Sequence, residues 1–243
     1  MHDLLYLSEN KLRALIPQLP GQLRRRLAFE AGLNTGVVSA KATLPSELQP
    51  SSVALLDAVV EMIERGKGSR WRTDSDLRAG DWIQFEEEFR YGDATTAPYS
   101  LSEQDSGHPL SGLVYFAATD VEAPFVLCGS SVNVLDRWQS RDSLEQHPAG
   151  FYLEAFFVYA RKLAEMPDEG ATNEFVPPPL PGGRSLSSTL GVALLAMCRR
   201  HSDWAIEPVR LSGHARTLAV IPKQEGPPAV LATPLYVEYA YHE

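Results

Sequence analysis

Residues 82–91, WIQFEEEFRY, set Ile83, Phe85, Phe89 and Tyr91 against Gln84, Glu86, Glu88 and Arg90 in strict alternation. Only an extended strand sends successive side chains to opposite faces, so this segment demands a sheet with one face on a core and the other toward water. A helix over the same residues would spread the apolar positions around its circumference and bury none of them as a set. Glu87 is the interruption: it falls on the apolar row. Whatever the rest of the chain does, it must supply strands to pair with this one.

The neighbouring segments divide into helical and twofold periods. A strand at Asp3–Leu7 feeds a helix capped by Ser8, with Leu12, Leu15 and Ile16 as its stripe and Pro17 as its stop. A second helix is expected from near Pro20, carrying Leu19, Leu23 and Leu27 at fourfold spacing, with Gly32 as a left-handed cap. Residues 37–43 read as a strand. Ser51 or Ser52 then caps a helix over 51–66 that sets Val53, Leu56, Val59, Val60 and Ile63 on one face and ends at Gly66. The turn LRAGD at 77–81 precedes the alternating strand, and a polar, glycine-containing loop over 92–111 follows it. The apolar runs at 113–120 and 124–135 suit an antiparallel hairpin. Helical spacing returns over 144–165 and again to about Arg200, separated by the Pro/Gly-rich stretch 167–183, which cannot pack as regular structure and reads as a linker or surface strap. Strands at 208–221 and 229–241 finish the chain. Intermixed helices and strands with hairpin connections predict a single α+β domain over 1–243, its sheet mainly antiparallel and its helices flanking.

Charge narrows the partners. The chain carries 22 Lys+Arg against 31 Asp+Glu, a net charge of −9, and the excess acid lies in residues 81–243. Nucleic-acid binding through counterion release needs a basic surface, so no nucleic-acid partner is expected. No apolar run approaches the roughly 20 residues that span a bilayer, and the opening MHDLLYLSENK lacks a basic region and a cleavage site, so neither a membrane partner nor export is expected. Cys128 and Cys198 are the only cysteines, both in apolar surroundings, which points to a reducing, cytoplasmic compartment without disulfides.

The motifs of familiar chemistry are missing. LYLSENKL has no glycine for close backbone approach to phosphate, which removes the Rossmann and P-loop readings. Cys128-Gly129-Ser130-Ser131 follows an apolar strand, yet neither serine is flanked by glycine on both sides as a nucleophile elbow requires, and a buried strand cysteine is the plainer account. His201 and His214 come nearest to a metal cluster, but no two histidines share ligand spacing on a helix, so no metal and no cofactor are expected. Glu86 and Glu88 point the same way from a strand and can serve as paired carboxylates, although a solvated face is the plainer account, since an antiparallel sheet commonly wets one face. Arg24, Arg25 and Arg26 flank Leu23 and Leu27 on a helix and read as a solvent face. No catalytic residue is assigned.

The segments LLYLSENKLRALIPQLP and LRAGDWIQFE resemble a family of uncharacterised actinobacterial proteins, which open with a Leu-Tyr-Leu-Ser strand and carry a later Gly-x-Trp-(Ile/Val)-x-Phe-Glu strand. Tyr6, Leu7, Ser8, Lys11, Leu12, Gly80, Trp82, Ile83, Phe85 and Glu86 carry the likeness, joined by Leu127 to Ser130 and Thr233 to Val237. The resemblance implies no reaction and no cofactor. Trp82, Glu86 and Glu88 share the face of their strand that is opposite the apolar row. Aromatic rings supply large contact areas and carboxylates favour a cationic or hydrogen-bond-donating partner. The expectation is a binding or accessory module for a small molecule or a protein partner. The competing expectation is a metal-independent hydrolase or transferase using Glu86 and Glu88, or Cys128, with a histidine.

Overall fold

The computed structural model describes residues 3–30, 51–66, 68–93, 113–135, 190–191, 194–195, 197–198, 207–223 and 226–241. Expectations for the strand at 37–43, the helix at 144–165, the strap at 167–183 and His201 lie outside those residues, as does the loop expected at 92–111 except for its first two residues, which are strand. Contacts divide the chain into a helical unit, Ser8–Ser69 with the first two residues, and a sheet unit, Asp3–Leu7 with Arg70–Glu243.

In the helical unit, α1 spans Glu9–Leu15 and continues as a single 3-10 turn through Ile16–Gln18, so Pro17 ends the α-helix without ending the coil. Ser8 holds the N-cap position, but its side chain makes no capping bond. The α2 helix spans Gly21–Glu30 and buries Leu23 and Leu27, while Arg25 and Arg26 face solvent. The α3 helix spans Ser52–Gly66, with the Ser51 hydroxyl accepting from the Ala54 N–H at 3.2 Å. Leu55, Leu56, Val59 and Ile63 are its buried stripe, Val60 is half-buried and Val53 is exposed. At 100° per residue Val53 lies about 120° from Val59, beyond the edge of the stripe that Leu55 occupies instead. Glu61 joins two helices, accepting from Arg26 of α2 at 3.4 Å and forming an ion pair with Arg65 of α3 at 2.6 Å.

The sheet unit contains seven strands: β1 (Leu4–Leu7), β2 (Arg70–Trp71), β3 (Trp82–Asp93), β4 (Leu113–Ala118), β5 (Phe125–Ser130), β6 (Val209–Ile221) and β7 (Ala229–Tyr239). Following the ladders, β3 pairs with β4, β4 with β5, β5 with β7, β7 with β6, and β6 returns to β3. The sheet therefore closes on itself as a barrel-like ring. Closure removes the exposed edges that an open sheet must protect. All of its ladders are antiparallel except β5 with β7, while β1 adds antiparallel to β7 and β2 adds parallel to β3. The hairpins expected for β4–β5 and β6–β7 both form. An α+β chain with a mainly antiparallel sheet is what the alternating pattern demanded.

The inner face is the core: Ile83, Phe85 and Phe89 of β3 meet Val114, Phe116, Phe125, Leu127, Leu211, Val230 and Val237. Phe85, Phe89 and Phe125 form a triangle of edge-to-face rings 5.5–5.6 Å apart. Two glycines make this packing possible. A Cβ on Gly213 would meet the Tyr236 carbonyl and, at 2.9 Å, the Phe85 ring, and one on Gly129 would strike the Tyr6 hydroxyl.

Glu87 sits on this inner row, as its position in the alternation requires. Arg72, from the turn after β2, is 3 % exposed and donates from Nε to the Glu87 carboxylate. Its Nη1 donates to the Ala123 carbonyl at 3.3 Å and its guanidinium lies over the Phe125 ring, 5.6 Å from the centroid. A charge on the apolar face is tolerated because it is paired, hydrogen-bonded and stacked. Burial raises the Glu87 pKa, and the adjacent guanidinium opposes that rise.

Candidate functional site

The outer face of the ring is unevenly covered. On β4 and β5 both faces are buried, and Tyr115 and Cys128, opposite one another, are fully inaccessible. On β2, β3 and β6 the outer face reaches solvent: Trp71, Glu86, Glu88, Arg210 and Arg216 are exposed, and Trp82 and Gln84 are half-buried. That patch is where the sheet unit presents chemistry.

Register assembles the patch in cross-strand rows. Trp82 lies opposite Arg216, and Gln84 lies opposite both His214 of β6 and Trp71 of β2. His214 in turn lies opposite Tyr236 of β7, and Glu86 opposite Ser212. Directly opposite residues hold their Cβ atoms about 5 Å apart and diagonal ones about 7–8 Å, within reach of long side chains. Trp71 and Trp82 are therefore diagonal neighbours across β2 and β3, with Gln84 between them and Arg216 on the far side.

The polar groups are satisfied at one end. Glu86 Oε1 accepts from Arg210 Nε at 3.0 Å and lies 2.9 Å from Arg210 Nη2, an ion pair in the open. Exposed pairs of this kind contribute little to stability, about 0–1 kcal/mol, but they do neutralise the carboxylate locally. Glu88 lies opposite Arg210 and is exposed. At the centre, His214 and Tyr236 are buried and stacked at 28° with centroids 5.6 Å apart, and His214 Nδ1 is 3.1 Å from the Tyr236 hydroxyl. Burial depresses the His214 pKa to about 4, so the imidazole is neutral at neutral pH.

Trp82, Glu86 and Glu88 share the outer face of β3, as the alternation required. Cys128 is on a different part of the ring and its side chain has no exposure. Cys198 is buried too, and burial pushes its thiol up to about 12. Among the described residues no three His, Cys, Asp or Glu side chains gather as metal ligands do. Two partners escaped the sequence. Trp71 is carried by a strand of two residues, and Arg216 reaches Trp82 through a pairing that spans more than 130 positions. The signal for Trp71 was faint: an aromatic two residues after Ser69 and ahead of a turn-forming Thr-Asp-Ser-Asp run.

A closed, mainly antiparallel sheet with an aromatic and polar face, accompanied by a helical unit, defines the class of protein. The chain belongs to a family of unknown function, DUF7019, whose sequence pattern matches residues 4–241. No curated protein and no solved structure matches it. Among the described residues no helix is long and apolar enough to cross a membrane.

Proposed function

We propose that this chain is a binding or accessory module that recognises a small ligand, or a protein partner, through the outer face of β3, with Trp82, Glu86 and Glu88 at the contact. The observation that carries the reading is the exposure contrast: β4 and β5 are buried on both faces, whereas β3 leaves an indole and two carboxylates within reach of solvent. Large rings left partly in water, beside groups able to hydrogen-bond, are the usual anchors of recognition surfaces. Two buried thiols, neither of them in a disulfide, accord with work in a reducing cytoplasm. The strand motifs around Tyr6 and Trp82 support an actinobacterial origin as part of the same reading.

The test is a fragment set of cations, anions and neutral rings, scored by NMR shifts of the tryptophan indole signals, with Trp82 assigned through Trp82→Phe. The reading expects at least one fragment that moves the Trp82 signal and loses that effect in Glu86→Gln or Glu88→Gln. A set in which no compound moves Trp82 would remove the β3 face as a recognition site.

A further inference from the structure

We infer that the corner of the face formed by Trp71, Trp82, Gln84 and Arg216 is a subsite for a flat aromatic or heteroaromatic ring bearing a carboxylate. The inference rests on the reading of the β3 face as a recognition surface and narrows its ligand. Trp71 is 51 % exposed. Neither indole has a hydrogen bond or ring contact from its side chain among the described residues. Arg216 is exposed, donates from Nε to the Gly80 carbonyl at 3.3 Å and has no carboxylate partner among the described residues. The acids nearby are already engaged. Asp74 accepts the Trp71 backbone N–H at 3.2 Å, Asp81 accepts the Arg78 N–H at 2.9 Å, and Glu86 is held by Arg210.

An indole N–H and a guanidinium donate hydrogen bonds and accept none. Two such rings and Arg216 therefore make a donor-rich corner whose complement must bring acceptors, and the indole faces favour a flat π system over an aliphatic body. A planar guanidinium matches a carboxylate in two-pronged geometry, which an ammonium cannot do. This departs from the sequence-based preference for a cationic partner, which rested on Glu86 and Glu88, because Arg210 pairs with Glu86 and lies opposite Glu88, away from this corner.

Calorimetric titration with naphthoate tests the inference, with cyclohexanecarboxylate, naphthylmethanol and naphthylmethyltrimethylammonium as controls that remove the ring, the charge or its sign. Naphthoate is expected to bind more tightly than all three. Trp71→Ala and Arg216→Gln should each weaken it by about tenfold or more, with Arg216→Lys intermediate. Circular dichroism and thermal melting of each variant guard against a simple loss of fold, and Trp82→Phe keeps a ring where Trp82→Ala does not fold. The inference is overturned if naphthoate does not bind, if Trp71→Ala and Arg216→Gln leave its affinity intact, or if the ammonium analogue binds more tightly. A ligand that depends on Trp82 and Glu86 but not on Trp71 or Arg216 would leave the proposed function standing and remove this subsite.

Discussion

Two buried polar groups dominate at the scale of single residues. His214 is neutral when folded because burial holds its pKa near 4, whereas the unfolded chain returns it to about 6.5. Between those values the unfolded state binds the extra proton, so the contribution of His214 to stability is present above about pH 6.5 and is lost as the pH falls toward 4. The full difference is on the order of 3 kcal/mol. Glu87, with a raised pKa, acts with the opposite sign in the acid range, so the comparison must be made against His214→Phe. Urea midpoints of the native protein should fall from pH 7 to pH 4.5 by more than those of the variant, and equal slopes would contradict a buried neutral imidazole. Arg72 and Glu87 form the second case. Removing one partner leaves a buried charge uncompensated, so Arg72→Met should cost about 3–5 kcal/mol, while Arg72→Met with Glu87→Leu should recover most of it. Additive losses in the double variant would show that the pair is not coupled. From sequence Glu87 looked like a defect in an apolar row, because its partner comes from 15 residues upstream, in the turn after β2.

At the scale of elements, periodicity was a good guide wherever an element buries one side. The β3 alternation, the hairpins β4–β5 and β6–β7, and the stripe of α3 follow from spacing alone. What spacing does not specify is the first turn of a helix, where a residue just outside the stripe reads as part of it. Val53 and Leu55 are that case. Leu56→Ala should therefore lower the stability of the protein by about 2–5 kcal/mol, whereas Val53→Ala on the exposed side should stay within about 0.5 kcal/mol. Denaturant titrations of the two variants decide it, and an unchanged Leu56→Ala midpoint would show that α3 does not bury this stripe. Half of the candidate site was legible on the same grounds. Trp82, Glu86 and Glu88 were visible because one strand carries all three, while Trp71 and Arg216 were not, because register between strands distant in sequence places them there.

The whole molecule shows where sequence reading stops. Hairpins can be seen one at a time, but closure of the ring depends on β5 lying parallel to β7 through Phe125–Leu127 and Val230–Ala232, a contact between segments about 100 positions apart. Nothing local in either run encodes it. The helical segment is inserted between β1 and β2, both of which belong to the sheet unit, so the sheet unit is assembled from two stretches of chain. We propose on that ground that the chain unfolds as one domain: calorimetric and van't Hoff enthalpies should agree, and two separable transitions would contradict it. The central claim is that the solvent-reaching face of β3 exists for recognition rather than for packing. The most direct measurement compares affinity and stability in Trp82→Ala, using whichever fragment moves the Trp82 indole signal. Trp82→Ala should lose affinity by about tenfold or more with a loss of stability below about 1 kcal/mol. A variant that binds as before while losing several kcal/mol of stability would make Trp82 a packing residue and contradict the account.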